Sequence, residues 1–162
     1  MITRQAVEAD VPEMCCLLNN IIEIGGTTAY EDKVHDTHFN AFFIKGSDRL
    51  SLYVCVEKTG DILGFQSLSI NSELPANWAD IATFARVEPK IKGVGTHLFE
   101  ATRKFALESG ITAINATIRS DNESGLAYYS KIGFIDYSVN KAVPLKDGTP
   151  VDRISKKYAV GR

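Results

Sequence analysis

The stretch from Ala79 to Gly110, ADIATFARVEPKIKGVGTHLFEATRKFALESG, most constrains what this chain can fold into. Ile81, Thr83 and Ala85 alternate with Ala82, Phe84 and Arg86, and no turn residue intervenes before Pro89, which is the pattern of a strand. Val94, Leu98, Ala101 and Phe105 then recur at helical spacing, which predicts one apolar face, and Gly110 ends the helix. Between them, Lys90-Ile91-Lys92-Gly93-Val94-Gly95-Thr96 combines glycines that let a ligand approach the backbone with a helix start whose unpaired N–H groups suit a phosphate. A Gly-x-Gly turn alone also fits an ordinary tight connection. It is not a Walker loop, because no Gly-Lys-Ser/Thr follows. Nor is it a dinucleotide fingerprint, because Leu98 takes the place of the third small residue and the turn lies past mid-chain.

A length of 162 residues predicts one domain spanning residues 1–162, with enough chain for a real core. The net charge of −2 and the absence of a basic stripe argue against nucleic-acid binding. No apolar run reaches the roughly 18 residues of a membrane span. The start MITRQAVEAD lacks the apolar stretch of a signal peptide, so the expected location is the cytoplasm. Cys15, Cys16 and Cys55 read as buried free thiols rather than a disulfide framework. His35, His38 and His97 lack metal-ligand spacing, and no metal site is expected.

In chain order, Ile2 to Val7 reads as a strand. Asp10-Val11-Pro12-Glu13 opens a helix, with Asp10 able to cap, Glu13 to bond back, and Met14, Leu17, Leu18, Ile21 and Ile22 forming the apolar stripe. Thr27 to Asp36 is an irregular connection, and Thr37 caps a second helix through about Ile44. Leu50 to Val56 and Ile62 to Ile70 form a hairpin around Thr59-Gly60-Asp61. Ile111 to Ile118 is an apolar, β-branched strand; Asp121-Asn122-Glu123-Ser124 starts a helix that ends near Ile132; Phe134 to Val139 and Val151 to Val160 close the chain as strands. The order β-α-α-β-β-β-α-β-α-β-β predicts an α/β fold: a mixed sheet of about seven strands flanked by about four helices.

With these elements in place the sequence resembles the GCN5-related N-acetyltransferase (GNAT) family over essentially its whole length. Lys90-Ile91-Lys92-Gly93-Val94-Gly95 resembles the family's Gln/Arg-x-x-Gly-x-Gly/Ala loop, with Lys90 in the Gln/Arg slot. Asn122, Ser124, Tyr129, Lys131, Gly133 and Phe134 resemble its second motif, Asn-x-x-Ser/Ala…Tyr-x-Lys-x-Gly-Phe, with Ser124 one position short of the Ser/Ala slot. The opening Ala6-Val7-Glu8-Ala9-Asp10-Val11-Pro12 and Asn20-Ile21-Ile22-Glu23-Ile24 are similar to the phosphinothricin-acetyltransferase-like branch. Asp80 stands where that branch usually carries Glu. Gly148 to Arg153 lacks the branch's aromatic-rich segment, which points away from phosphinothricin itself as substrate.

The resemblance implies acetyl-coenzyme A as donor, its pyrophosphate on the N–H groups of Lys92, Gly93, Val94, Gly95 and Thr96, with charge from Lys90 and Lys92. It places Phe84, Ala85 and Arg86 beside the pantetheine arm, and Ile91 lies within the same loop. Asn122 either bonds the pantetheine or caps its helix, and Arg86 either holds a substrate carboxylate or is an exposed strand residue. Tyr129 matches the family's general-acid tyrosine, with Tyr128 its neighbour and competitor. Asp80 is the candidate base, acting directly or through water, and needs burial or a relay to be effective. The implied reaction is N-acetylation of a small amine, an amino acid or analogue. The alternatives are a protein or antibiotic amine as acceptor, or a non-catalytic acyl-coenzyme A sensor. Many relatives are dimers, so a homodimer is the assembly the resemblance suggests.

Overall fold

A computed structural model describes residues 1–161. The elements are β1 (Ile2–Gln5), a 3₁₀ turn (Glu8–Asp10), α1 (Val11–Ile24), α2 (Asp36–Phe39) running into a π turn (Asn40–Ile44), β2 (Arg49–Val56), β3 (Ile62–Ser69), β4 (Trp78–Ala85), α3 (Val94–Glu108), β5 (Ala113–Arg119), α4 (Glu123–Lys131), β6 (Ile135–Pro144) and β7 (Pro150–Ala159). The strands form one seven-stranded sheet in the order β1-β2-β3-β4-β5-β7-β6. Every neighbouring pair is antiparallel except β4 and β5, which the α3 crossover makes parallel. The mixed α/β architecture and the element order agree with the reading of the sequence. No helix among the described residues is long and apolar enough to cross a membrane.

Side chains alternate across the sheet and build two cores. On one face α1, α2 and the π turn cover Leu52, Val54, Phe65 and Phe84, and Phe39 and Phe43 stack against Phe65 with ring centroids 5.6 and 5.7 Å away. Phe39 and Phe65 are fully buried, and truncating such a phenylalanine costs about 3–5 kcal/mol. On the other face α3 and α4 cover Leu68, Ala79, Ile81, Ile114 and Ala116. The α1 stripe is buried as expected, joined by Val11 and Cys15.

Local details depart from expectation where a tertiary partner outcompetes a local one. The buried face of α3 is Val94, Leu98, Phe99, Thr102 and Ala106, so Ala101 and Phe105 lie at its margin rather than its centre. Asp10 does not cap α1. Its carboxylate turns back to accept from Val7 N (2.8 Å) and from Arg4 (2.7 and 2.9 Å), and the guanidinium holds it below the usual carboxylate range. Glu13 likewise accepts from Ile62 N (2.6 Å) across the core instead of bonding back. The second helix starts at Asp36 without a side-chain cap and loosens into the π turn after one turn. Cys15 and Cys55 are buried free thiols, but Cys16 is exposed.

Candidate active site

The parallel pair at the centre of the sheet is short. β4 and β5 are in register only at Trp78↔Ala113, Ala79↔Ile114 and Asp80↔Asn115. Beyond that rung β5 runs on beside β7, while β4 keeps only β3, paired from Asp80 to Ala85. The two strands therefore splay. Arg86 N–H bonds Leu63 O on β3 (2.8 Å), which fixes the alternation: Ile81, Thr83 and Ala85 turn their backbone N–H and C=O groups toward the gap. An unpaired β edge is a template for an extended chain carrying amides.

At the far end of β4 the turn leads into α3. Gly93 has φ +89°, a left-handed conformation that favours glycine, and it is the N-terminal cap without any side-chain partner. The first intrahelical bond runs from His97 N–H to Gly93 O (3.0 Å), so Val94, Gly95 and Thr96 precede it with free N–H groups. Lys90 and Lys92 are exposed beside them, and Ile91 packs inward against Leu63, Val94 and Leu98. Gly95 is needed for a reason the sequence did not reveal. A Cβ there would lie 2.4 Å from the Tyr128 ring, so the neighbouring helix, not only a ligand, requires the missing side chain.

α4 begins at Asn122, whose carbonyl oxygen accepts from Gly125 N (2.9 Å) while its amide donates to Thr27 O (2.8 Å). The capping alternative is thus the one seen, and the same side chain ties down the Thr27 segment. Arg119 joins it there, donating to Thr28 O (3.2 Å) and pairing with Asp121. Nine residues of α4 carry Tyr128 and Tyr129 under the sheet. The Tyr129 hydroxyl lies 2.8 Å from Thr83 Oγ1, on the edge of β4 that faces the gap. Tyr128 Oη donates to Gly95 O (2.8 Å) and accepts from Gln66 Nε2 (3.1 Å), which also donates to Thr83 Oγ1 (2.9 Å). Burial pushes Tyr128 up to about 12 and Tyr129 further in the same direction, so both phenols stay protonated at neutral pH.

Asp80 occupies the last paired rung, on the opposite face of β4 from Thr83. It accepts from Asn115 Nδ2 (2.9 Å) and, at longer range, from Asn71 Nδ2 (3.4 Å). Burial raises its pKa above the usual carboxylate range, with the two amides pulling the other way. Asn115 is buried and uses all it has: Nδ2 also donates to Thr117 Oγ1 (3.1 Å), and Oδ1 accepts from the Tyr137 hydroxyl. Tyr137 stands edge-on to Trp78, and Lys157 Nζ lies 5.9 and 5.6 Å from the two ring centres.

Of the strand residues expected beside the cofactor arm, Ala85 faces the gap. Phe84 is core against Phe65 (4.9 Å) and Tyr30 (6.4 Å). Arg86 donates to Ile62 O (3.1 Å) and lines a separate cavity of about 490 Å³ behind α1, with Glu13, Asn20 and Glu88. Gln66, Thr83, Asn115 and Tyr137 were not anticipated. The available signal was an amide side chain amid the apolar residues of a central strand, at Gln66 in ILGFQSLS and Asn115 in AINATIR, since such groups are buried only with partners. Among the described residues no cluster of three or more His, Cys, Asp or Glu side chains could hold a metal.

A splayed parallel pair, a glycine turn at a helix start and a buried tyrosine lie together at the centre of the sheet. The family model described as acetyltransferase (GNAT) family matches residues 18–134, and the chain belongs to that family. Among individual relatives, it is 23% identical over 154 residues, 94% of each chain, to a Bacillus subtilis protein named "Putative phosphinothricin acetyltransferase YwnH". Two solved structures share the fold. A Sinorhizobium meliloti phosphinothricin acetyltransferase in complex with AcCoA superposes with a TM-score of 0.85 at 20% identity, over 99% of this chain and 88% of that one. A Brucella melitensis ribosomal-protein-alanine N-acetyltransferase superposes with a TM-score of 0.86 at 19% identity, over 99% and 100%.

Proposed function

We propose that this protein transfers an acetyl group from acetyl-coenzyme A to the primary amine of a small molecule, an amino acid or analogue. The observation that carries the reading is the Tyr129 hydroxyl at the unpaired edge of β4, with a raised carboxylate, Asp80, at the rung where the strands part. The chain's residues suit this donor. Free N–H groups of Val94, Gly95 and Thr96, with Lys90 and Lys92 alongside, suit a pyrophosphate. The backbone of Ile81, Thr83 and Ala85 suits the pantetheine amides. The cosubstrate supplies the acetyl thioester.

In this reading Asp80 takes a proton from the acceptor ammonium, directly or through water. The amine nitrogen bonds to the acetyl carbon, the carbon–sulfur bond breaks, Tyr129 gives its proton to the departing sulfur, and the second proton that the nitrogen sheds on becoming an amide returns to the Tyr129 oxygen through solvent. Burial makes the Asp80 carboxylate a stronger base than an exposed Asp, and the Tyr129 phenol is protonated at neutral pH. Trp78, Tyr137 and Lys157 form the wall beside Asp80 against which an acceptor would sit. A homodimer, by family likeness, and a cytoplasmic location belong to the same proposal.

The test is thiol release from acetyl-coenzyme A with free amino acids, amino-acid analogues, polyamines and short peptides as acceptors. Turnover confined to one class of small amine supports the proposal. Turnover on peptides alone would move the acceptor to a protein N-terminus, and coenzyme binding without turnover on any amine would favour an acyl-coenzyme A sensor.

A further inference from the structure

The hydroxyls and amides under the gap form one continuous chain, Gly95 O–Tyr128–Gln66–Thr83–Tyr129. Its proton order can be worked out from one end. A backbone carbonyl can only accept, so the bond of 2.8 Å at Gly95 O uses the proton of Tyr128. Tyr128 Oη must then accept from Gln66 at 3.1 Å, which requires the amide nitrogen on that side. The second N–H of the same nitrogen donates to Thr83 Oγ1 at 2.9 Å. The remaining contact is Thr83 Oγ1 with Tyr129 Oη at 2.8 Å, where either oxygen could donate. The other oxygen within reach of Thr83, Tyr128 Oη, already accepts from Gln66 and donates to Gly95 O, so the Thr83 proton goes to Tyr129. This order leaves Gln66 Oε1 buried without a partner, although Gln66 is fully buried. An orphaned carbonyl is what a forced donor orientation of the Gln66 amide leaves behind.

We propose that Tyr128, Gln66 and Thr83 are positioning residues whose hydrogen bonds run in one direction, from Thr83 into the Tyr129 oxygen, so that the proton of Tyr129 stays free for the leaving group. The inference rests on the reading of Tyr129 as general acid. It also gives Tyr128 a role distinct from Tyr129: it anchors the chain to the carbonyl of Gly95, within the loop assigned to the pyrophosphate.

Neutron diffraction from crystals of the deuterated, ligand-free protein tests the order directly. The expected map shows the Thr83 deuteron on the line to Tyr129 Oη and the Tyr129 deuteron off that line. A Tyr129 deuteron pointing at Thr83 Oγ1, or the Gln66 oxygen turned toward Tyr128, overturns the proposal. A kinetic arm uses Thr83→Val and Thr83→Ser, with the most active amine of the panel as acceptor. Thr83→Val is expected to lower kcat about tenfold with coenzyme affinity unchanged, Thr83→Ser to restore it, and neither to matter in a Tyr129→Phe background. Equal losses from Thr83→Val in both backgrounds contradict the positioning role. If Tyr129→Phe alone leaves kcat unchanged, the acid assignment fails instead, while the neutron map still decides the proton order.

Discussion

The two faces of the gap between β4 and β5 are built on different principles. Under the sheet, the α3–α4 side is neutral and largely buried: tyrosines, a threonine and a glutamine bonded to one another and to the Gly95 carbonyl. Over the sheet, the Asp80 side holds a carboxylate, flanking amides, an aromatic pair and a lysine, and is partly open. The first arrangement holds a fixed partner in one geometry. The second has charge and spare surface, as a site for a variable acceptor needs. Under the proposed reading, changes at the glycine turn should act on coenzyme binding, changes at Tyr129 and Thr83 on the chemical step, and changes on the Asp80 face on acceptor specificity and pH dependence.

The largest expected effect comes from Gly95→Val. Its branched side chain would meet the Tyr128 ring, where even a Cβ falls at 2.4 Å, and would also block the loop. Coenzyme affinity, followed by thermal shift with added acetyl-coenzyme A, should fall by about 100-fold or more, or about 2.7 kcal/mol of ligand stabilisation. Gly93→Ala, strained by its φ of +89° but with no contact closer than 3.5 Å, should cost only about 1 kcal/mol of stability. Equal behaviour of the two variants would remove the distinction between a packing glycine and a turn glycine.

Asp80→Asn separates the faces next. The folded-state pKa of Asp80 is raised, so this group stabilises the fold below its ordinary carboxylate value and that contribution is lost as pH rises through the raised value. At neutral pH the buried charge is a burden, and the variant should melt higher than the parent while kcat/KM drops by about 100-fold. In the parent, kcat/KM should rise with pH through the raised pKa of Asp80, and the variant should lose that limb. A variant that melts lower at pH 7 and keeps the limb would show that Asp80 is structural. The smallest effect is expected for Tyr137→Phe, which frees Asn115 Oδ1 from its hydroxyl partner. The acceptor KM should rise about threefold, with coenzyme affinity unchanged. A change in coenzyme affinity instead would join the two faces that the comparison keeps apart.

The α3–α4 face was legible in part: its glycine turn and helix start from local chemistry, Tyr129 from the resemblance to the family motif, and Gln66 and Thr83 not at all. Gly93 answers a backbone requirement, the α3 start follows from an apolar period, and Tyr129 comes at a fixed distance before the Gly133-Phe134 turn. The acceptor face was not, apart from Asp80. Asn71, Asn115 and Tyr137 come from a loop and two strands distant in sequence, and only the sheet order brings them to one carboxylate. Where local and tertiary demands competed, the tertiary partner won. Asp10 left the α1 cap for Arg4, Glu13 reached across to β3, and the buried face of α3 centred on Thr102. Arg86, read either as a substrate contact or as an exposed strand residue, is part-buried and bonds the Ile62 carbonyl.

The central claim, an acetyltransferase whose proton donor is Tyr129, is tested most directly by Tyr129→Phe. Turnover and acetyl-coenzyme A affinity would be measured together, with the most active small amine as acceptor. The account predicts a fall in kcat of about 100-fold with affinity unchanged within about twofold, because the phenol acts on the leaving group and not on the bound coenzyme. Unchanged turnover, or a loss explained wholly by weaker coenzyme binding, would contradict it.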